Sequence, residues 1–316
     1  MNHFRDSAIE WLDRRTARSD PYRKRNTRLD DTVVRAAEAV AGELGDPHRS
    51  FVTVHIAGSK GKGTTAWLTA YLLRANGLRT GLSMSPHLVD ETERALIDLA
   101  LPGSEEFWSS VLAVATAFDR LGLQPTYSGA MSLAAMHLFR RKSVDVAVIE
   151  CGLGGGRDAT GFLGAPVCAL TGLELEHTVQ LGDTLAEIAL EKCSIAGCGS
   201  VLVSAQFSGE LVQTVSRACG DRGAIVEFVP PLPEGGHPAA TSAEIAHRCA
   251  ELVCSLLGRE FQSVTTQGVT VPGRLDLRRT GDGHTLFDGA HTLKSLSALA
   301  QELPRVFREP DRKSVV

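Results

Sequence analysis

The sequence contains no long uninterrupted apolar run. None of its 316 residues lies in a stretch that approaches the ~20 consecutive apolar residues of a membrane-spanning helix. Segment 1–20 carries charged residues throughout and lacks the apolar centre of a secretory signal. We therefore expect a cytoplasmic protein that has no membrane partner.

An excess of charge of either sign is also missing, since the formal net charge is only −4. Such a balance gives no general attraction for a polyanion, so an anionic ligand would have to be held by local positive charges. We therefore expect no nucleic-acid partner. A small-molecule site on a monomer is the simpler expectation.

The cysteines show no disulfide framework. There are seven, an odd number, and they are scattered through predicted strands and helices. This distribution indicates buried thiols rather than cross-links. Cys193 and Cys198 could bind a metal only with further ligands, and the sequence offers none that is evident.

What the sequence does contain is a regular alternation of strand and helix signals, without an internal repeat. Its 43% hydrophobic content suits a large core. The alternation predicts an α/β fold with a mostly parallel central sheet flanked by helices. The predicted strands cover 51–56, 80–84, 144–150, 167–170, 200–204 and 224–228. The predicted helices cover 63–75, 105–121, 128–140, 184–195, 209–218 and 242–257.

The stretch 230–238, PPLPEGGHP, breaks this periodicity and predicts a loop or linker. We divide the chain near Pro272, into a domain over 1–270 with N-terminal helices and a second α/β unit over 271–316. In the second unit we expect strands at 275–278 and 285–287, a helix at 293–303, and the start of a strand at 314–316.

Segment 51–71, FVTVHIAGSKGKGTTAWLTAY, is the most informative part of the chain, because an apolar strand runs through a glycine-rich turn into a helix. Three glycines in the turn permit backbone conformations and a close approach that a Cβ would prevent. Backbone N–H groups at the start of the helix would then face an anion. The segment predicts a phosphate-binding loop.

Two kinds of side chain in this loop support a phosphate ligand. Lys62 would place a positive charge beside the backbone amides, and Thr64 or Thr65 could offer a hydroxyl to a magnesium ion that bridges phosphates. The alternative is an ordinary glycine-rich turn that carries a solvated lysine.

The segment VDVAVIECGLGGGRDAT ends a second strand at Glu150 and enters another glycine-rich turn. Ligands of open α/β sheets bind at the carboxyl ends of strands, so Glu150 and the first loop are expected to meet, and the carboxylate could hold Mg²⁺. Two alternatives are a glutamate that only ends a strand, and a dinucleotide-binding fingerprint from Gly152, whose glycine pattern is imperfect.

The spacing of GSKGKGT differs from that of the common P-loop. It resembles the GTNGKGS loop of the folylpolyglutamate synthase and dihydrofolate synthase family, a branch of the Mur ligase superfamily. IECGLGGGRDAT is similar to the family's Glu-Val followed by GLGGRLDATN, with Gly156-Arg157 in place of Arg-Leu and Gly161 in place of Asn. TGLELEHTVQLGDTLAEIALEKCSIA resembles the family's TSIGLDHTEYLGDTLEEIAREKAGI over its whole length.

The resemblance implies a Mur ligase central domain and an ATP-dependent ligase. Such an enzyme adds L-glutamate to a folate or dihydropteroate carboxylate through an acyl phosphate, with ATP and two Mg²⁺ ions as cofactors. It also implies that His177 helps to bind the second Mg²⁺ and that Lys192 is carbamylated. Without the resemblance, a hydrogen-bonded loop histidine and a solvated helix lysine would be the simpler interpretations.

Two segments resemble the family on the substrate side. SMSPHLVDETER, at 83–94, is similar to the family's TSPHL and ER pattern, which implies that Ser85, Pro86 and His87 lie near the pterin and the first metal. A proline-containing turn is the alternative. In PTYSGAMSLAAMHLF, Ser128-Gly129 replaces a Phe-Glu pair of the family, so the substrate pocket is expected to differ.

Near the C-terminus, VPGRLDL and LFDGAH resemble the family's PGR and DGAHN motifs. The resemblance implies that Arg274, Asp288 and His291 contact the nucleotide, while Thr292 replaces the family's Asn. The alternative is an interdomain hinge whose charges are only solvated.

These resemblances give three overlapping sets of site residues. The catalytic set is Lys62, His177 and Lys192. The ATP-binding set is Gly58, Ser59, Lys60, Gly61, Lys62, Gly63, Thr64, Thr65, Arg274, Asp288 and His291. The metal-binding set is Thr64, Ser85, Glu150, His177 and Lys192.

Family members have a C-terminal domain of well over a hundred residues, so we expect the second unit here to be truncated and turnover to be weak. Two alternatives remain open. One is a divergent paralogue that couples an amino acid to a non-folate carboxylate, and the other is a non-catalytic nucleotide-binding module.

Overall fold

The computed structural model describes residues 3–16, 28–231, 238–281, 283–290 and 293–307. Its helices are α1 (His3–Thr16), α2 (Thr32–Glu43), α3 (Lys62–Ala75), α4 (Ser104–Leu121), α5 (Tyr127–Arg141), α6 (Thr178–Leu181), α7 (Leu185–Cys193), α8 (Glu210–Gly220), α9 (Pro238–Leu256) and α10 (Leu293–Val306). Its strands are β1 (Val52–Ala57), β2 (Thr80–Ser83), β3 (Leu96–Ile97), β4 (Val146–Glu150), β5 (Val167–Leu170), β6 (Val201–Ser204), β7 (Ile225–Phe228), β8 (Asp276–Thr280) and β9 (Gly283–Phe287).

The main sheet has the strand order β3-β2-β4-β1-β5-β6-β7. Every neighbouring pair is parallel except β2 and β3. The strand that precedes the phosphate-binding loop, β1, is therefore central. Its neighbours are β4, which ends at Glu150, and β5, which precedes the His177 segment. This order brings the three predicted site segments to one edge of the sheet.

Helices cover both faces of the sheet, because the central strands are apolar on both sides. On one face α3 and α9 pack against alternate residues of β1, including Val54 and Ile56. On the other face α5 covers β2 and β4 and α4 packs on α5, while α7 and α8 lie over β5 and β6. The buried side chain of His55 lies on this second face of β1, between the two helical groups.

The fold class predicted from the sequence is confirmed, and every strand predicted in the first 230 residues is present within a few residues of its expected bounds. The sequence did not predict β3, a two-residue antiparallel strand that is too short to show alternation. The cysteines are free, and the expectation that all are buried is wrong for Cys198, which is exposed. Among the described residues, no helix is both long and apolar enough to cross a membrane.

Beyond Pro272 the chain forms the antiparallel pair β8–β9 and the helix α10, in the order expected. The division into two domains stays a prediction. Most of the loop predicted at 230–238, the strand expected at 314–316 and the candidate nucleotide ligand His291 lie outside the described residues.

Candidate functional site

The phosphate-binding loop follows β1 and opens α3. Gly58 has φ +147°, and a Cβ there would lie 1.9 Å from Oγ1 of Thr171, so no other residue fits without movement. Gly61 has φ +91° and is the residue before α3. Since the first N–H groups of a helix have no partner within it, the loop leaves donors at the start of α3 for an anion.

The segment after β5 holds the other side of this loop. The N–H groups of Ser59 and Lys60 donate to the carbonyl of Gly172 at 2.7 and 3.2 Å, and the N–H of Gly172 donates to the carbonyl of Lys60 at 3.1 Å. The ammonium of Lys60 lies 3.6 Å from a carboxylate oxygen of Glu176. These contacts join the loop to the segment that carries His177.

Two lysines converge on one carbonyl oxygen of the loop. The Nζ atoms of Lys62 and Lys192 both donate to the carbonyl of Gly58, each at 3.0 Å. Lys192 is only 2% exposed, and burial, assisted by the nearby charge of Lys62, lowers its pKa to about 8. Glu176 opposes this shift from 3.7 Å. The site therefore contains a lysine that loses its proton readily.

The helix α7 places Lys192 at this position. Its first turn has a capping box, in which the Thr184 hydroxyl accepts from the N–H of Glu187 and the Glu187 carboxylate accepts from the N–H of Thr184. Such a cap stabilises a helix by about 1 kcal/mol. Lys192 lies in the last turn of α7 and faces the loop, while the preceding Glu191 contacts the second glycine-rich turn.

Glu150 ends β4 beside the first turn of α3. Its Oε2 accepts a 2.9 Å hydrogen bond from the N–H of Ser85, whose peptide bond to Pro86 is cis. A Cβ on Gly63 would lie 3.8 Å from the same oxygen. Burial raises the pKa of Glu150, and the positive charge of Lys62 acts against that shift. The Glu150 carboxylate thus lies close to the start of α3, as expected.

Magnesium fits this part of the site. Thr64 is half-buried whereas Thr65 is fully buried, and Thr64 follows Gly63, where an added Cβ would lie 3.8 Å from Glu150. Within the described ranges, no group of three or more His, Cys, Asp or Glu side chains could hold a metal ion. Mg²⁺ bound to a nucleotide needs only one or two protein oxygens, because phosphates and water supply the rest.

His177 is the residue before α6 and has a left-handed backbone with φ +49°. Burial lowers its pKa, the neighbouring Glu176 raises it, and the charge of Lys192 lowers it further. These influences place the imidazole in the same charged neighbourhood as the loop lysines. Its role as a metal ligand stays a prediction.

The loop after β2 brings the predicted substrate residues beside Glu150. His87 accepts a 2.9 Å hydrogen bond at Nδ1 from Nε of Arg94, whose guanidinium lies over the ring of Tyr127 at 5.1 Å. A small polar cavity, large enough for about one water molecule, lies beside this loop and Glu150. It is lined by Ser83, Met84, Ser85, Arg94, Ser128, Met131, Ser132, Glu150 and Gly152.

Two residues of the second glycine-rich turn, which follows Glu150, differ from the family pattern. These residues, Gly156 and Gly161, lie in contact with each other. A Cβ on Gly161 would lie 2.0 Å from the carbonyl oxygen of Gly156, and a Cβ on Gly156 would lie 2.5 Å from Oγ of Ser194. Arg157 donates to the Glu191 carboxylate at 2.8 Å. The turn therefore folds back on itself too closely, at the Gly156 carbonyl, for the family's Asn at position 161.

Gly161→Ala should destabilise the protein by about 1–3 kcal/mol, because the new methyl group would overlap the Gly156 carbonyl. Gly197→Ala is the matched control, since a Cβ there meets nothing within 4 Å. We expect the control to change the free energy of unfolding by less than about 0.5 kcal/mol. Urea unfolding of both variants checks this, and equal stabilities would contradict the described packing.

Two of the residues predicted near the C-terminus as nucleotide contacts, Arg274 and Asp288, lie close together. The Asp288 carboxylate accepts from the N–H groups of Leu275 and Ala290, both at 2.8 Å, so it organises the turn that carries Arg274. Gly289 lies so close to Arg274 that a Cβ there would be 2.1 Å from Nη1. The positive charge of Arg274 also acts on the pKa of Glu150, which links this turn to the main site.

A larger cavity of about 650 Å³ lies on the far side of the second glycine-rich turn. Its wall carries charges of both signs, from Arg28, Asp31, Arg157, Glu187, Glu191 and Arg222. Sequence patterns did not predict it. They also missed Glu176 and Arg94, although both lie inside segments that resemble the family and could have been chosen there as charged neighbours of named residues.

The fold and the site define the chain as a P-loop-containing α/β protein with the Mur ligase architecture. No protein-family model matches it. Among solved structures it is similar to the apo form of the synthase from L. casei, with a TM-score of 0.82 and 23% identity over 98% of this chain and 82% of that one. FolC of E. coli, in complex with DHPP and ADP, gives a TM-score of 0.74 at 23% identity, over 94% and 74% of the two chains.

Relatives in sequence agree with the fold. The mitochondrial folylpolyglutamate synthase of Homo sapiens is 31% identical over 306 residues, which are 83% of this chain and 52% of the relative. A probable bifunctional folylpolyglutamate synthase/dihydropteroate synthase of Haloferax volcanii is 39% identical over 183 residues, 56% of this chain and 22% of the relative. The chain is thus similar in sequence to folylpolyglutamate synthases over most of its own length. It spans about half the length of the human relative.

Proposed function

We propose that the protein is an ATP-dependent acid–amino-acid ligase that adds L-glutamate to the carboxylate of a folate or dihydropteroate. The observation that carries the proposal is the meeting of the Lys62 ammonium, the open start of α3 and the buried Glu150 carboxylate at one edge of the sheet. Similarity in sequence supports the same activity, because the relatives are named folylpolyglutamate synthases.

The loop residues would bind and orient the nucleotide. Backbone N–H groups at the start of α3 would bind the phosphate oxygens, and Lys62 would neutralise charge on the γ-phosphoryl group as it moves to the substrate carboxylate. The glutamate amine then attacks the acyl phosphate and releases inorganic phosphate. No covalent bond to the protein is needed, so positioning and charge neutralisation supply the catalysis.

The metal ligands in this proposal come from two groups. Thr64, Ser85 and Glu150 would hold the first Mg²⁺, which would neutralise phosphate charge when bound. His177 and a carbamylated Lys192 would hold the second. Imidazole is an unusual ligand for Mg²⁺, so this second group depends more on the family resemblance.

Carbamylation of Lys192 would remove the repulsion between its ammonium group and that of Lys62. Two ammonium groups share the Gly58 carbonyl, and burial lowers the pKa of Lys192 to about 8, so a fraction of the amine is neutral near pH 7.5. The neutral amine can attack the carbon of CO₂, lose one proton and become an anionic carbamate. That anion would lie beside Lys62 and face a metal ion.

On the substrate side, Ser85, Pro86 and His87 would line the approach to Glu150. The changed Ser128-Gly129 pair favours a second candidate, a ligase for a different carboxylate. A Cβ on Gly129 would lie 2.8 Å from Cβ of Ala159, so the glutamate that the family has at this position does not fit here. A panel of carboxylate substrates that includes pterin-free acids distinguishes the two candidates.

The testing experiment measures ADP release with ATP, Mg²⁺, L-glutamate and either dihydropteroate or tetrahydrofolate. We expect release that requires both the pterin substrate and glutamate, together with a glutamylated product detected by mass. ATP binding without turnover on any carboxylate would instead favour a non-catalytic nucleotide-binding module. The active species is proposed to be a cytoplasmic monomer without nucleic-acid or membrane partners.

A further inference from the structure

A buried histidine joins the strand of the phosphate-binding loop to the turn after Glu150. His55 lies on β1 and is 1% exposed. Its Nε2 atom is 2.8 Å from Oγ1 of Thr160 and 3.0 Å from Sγ of Cys151. Thr160 is also 1% exposed, so water does not compete for these contacts.

The positions of the protons follow from the partners. The Thr160 hydroxyl donates to Oδ1 of Asp158 at 2.6 Å, so its oxygen has only acceptor capacity left for His55. Burial lowers the pKa of His55 to about 4, so the ring is neutral and carries a single N–H. An N–H on Nε2 would donate to Thr160, and the Cys151 sulfur is a second partner of the same nitrogen at 3.0 Å.

The network ends at the residues that follow Glu150. Asp158 accepts from the Thr160 N–H with Oδ1 and from the Leu153 N–H with Oδ2, both at 3.0 Å. Cys151, which contacts His55 directly, is the residue immediately after Glu150. The chain on the C-terminal side of the Glu150 carboxylate is thus tied at two points to one imidazole.

We propose that His55 is a positioning residue that, through Cys151, Thr160 and Asp158, holds the Glu150 carboxylate in place beside the first turn of α3. The inference rests on the proposed function in one respect, which is that Glu150 takes part in binding the magnesium–nucleotide complex. Contacts with His55 and Asp158 fix Cys151 and the N–H of Leu153, which follow directly after β4. Both His55 and Thr160 are buried.

The test measures how the affinity for the ATP analogue AMP-PCP depends on Mg²⁺ concentration, by isothermal titration calorimetry. Mg²⁺ should increase the affinity for AMP-PCP. His55→Leu and Thr160→Val should each raise the Mg²⁺ concentration at half of this increase by about fivefold or more. The double variant should have an effect little larger than that of the stronger single variant. His55→Gln and Thr160→Ser keep a donor and a hydroxyl respectively. They should stay within about twofold of the native chain.

Each variant is measured well below its own melting temperature, so that loss of fold does not enter the result. Should His55→Leu fail to fold, the Thr160→Val and Thr160→Ser pair carries the same comparison. An unchanged Mg²⁺ requirement in folded Thr160→Val, with only a lower melting temperature, overturns the inference and leaves the proposed function standing.

The variant Glu150→Gln shows how far the Mg²⁺ dependence of AMP-PCP affinity changes when the carboxylate is lost entirely. If the native chain binds AMP-PCP with no dependence on Mg²⁺, the metal role of Glu150 is wrong, and the inference that rests on it is overturned too. The two failures are therefore distinguishable by the behaviour of the native chain alone.

Discussion

Lys62→Met should lower ATP-dependent amide formation by about 10²- to 10³-fold, the usual loss when one preorganised charge or donor is removed from a transition state. The Lys62 ammonium donates to the Gly58 carbonyl at 3.0 Å and has no carboxylate within ion-pair distance in the part of the chain that the structure describes. It is therefore available to phosphate oxygens. Steady-state ADP release at saturating substrates gives the loss in kcat.

Lys60→Met is the matched control, because this lysine lies two residues away in the same loop but pairs with Glu176 at 3.6 Å. Its removal should cost less than about tenfold, in line with the modest value of a partly exposed ion pair. Equal losses in the two variants would mean that the loop needs only total positive charge. That outcome would contradict the specific role of Lys62.

Lys192→Met should make the protein more stable near pH 7 and remove part of the dependence of stability on alkaline pH. The pKa of Lys192 falls from 10.5 in the unfolded chain to about 8 in the fold. Between these values the unfolded chain binds a proton that the folded chain does not, so stability rises as pH increases from about 8 to 10. The cost at neutral pH is about 3 kcal/mol.

Urea unfolding at pH 7 and pH 10, in buffers freed of CO₂, tests this prediction. The native chain should gain stability between the two values relative to Lys192→Met, and Lys60→Met should behave like the native chain. A Lys192→Met variant that is less stable than the native chain at pH 7 would show that the ammonium is well paired by Glu176, against the direction of its pKa shift. Activity of Lys192→Met should fall because no carbamate can form.

Local patterns were enough to predict the strand, glycine-rich loop and helix around Gly58 and the position of Glu150. The run from β1 through Gly58 and Gly61 into α3 has a signature that depends only on neighbouring residues, because strand, turn and helix are consecutive. Glu150 was predicted for the same reason, since the carboxyl ends of neighbouring parallel strands meet at one edge. The seven-stranded order that places β1 beside β4 needed the structure.

Features that depend on contacts between distant segments could not be read from the sequence. Glu176 acquires its importance from two lysines that lie 116 and 16 residues away in the chain and meet only in the fold. Burial of Lys192 follows from the packing of α7, since a lysine in a last helical turn is usually solvated. The hydrogen bonds of His55 were hidden because a histidine in an apolar strand has no pattern of its own.

The central claim is that this chain couples ATP cleavage to formation of an amide with glutamate. The most direct measurement follows ADP and glutamylated product together in one reaction with dihydropteroate or tetrahydrofolate. We predict one ADP per amide formed, and no ADP above background when glutamate or the pterin substrate is left out. ADP release that continues at the same rate without either substrate, or ATP bound with no amide on any pterin substrate, would contradict the account.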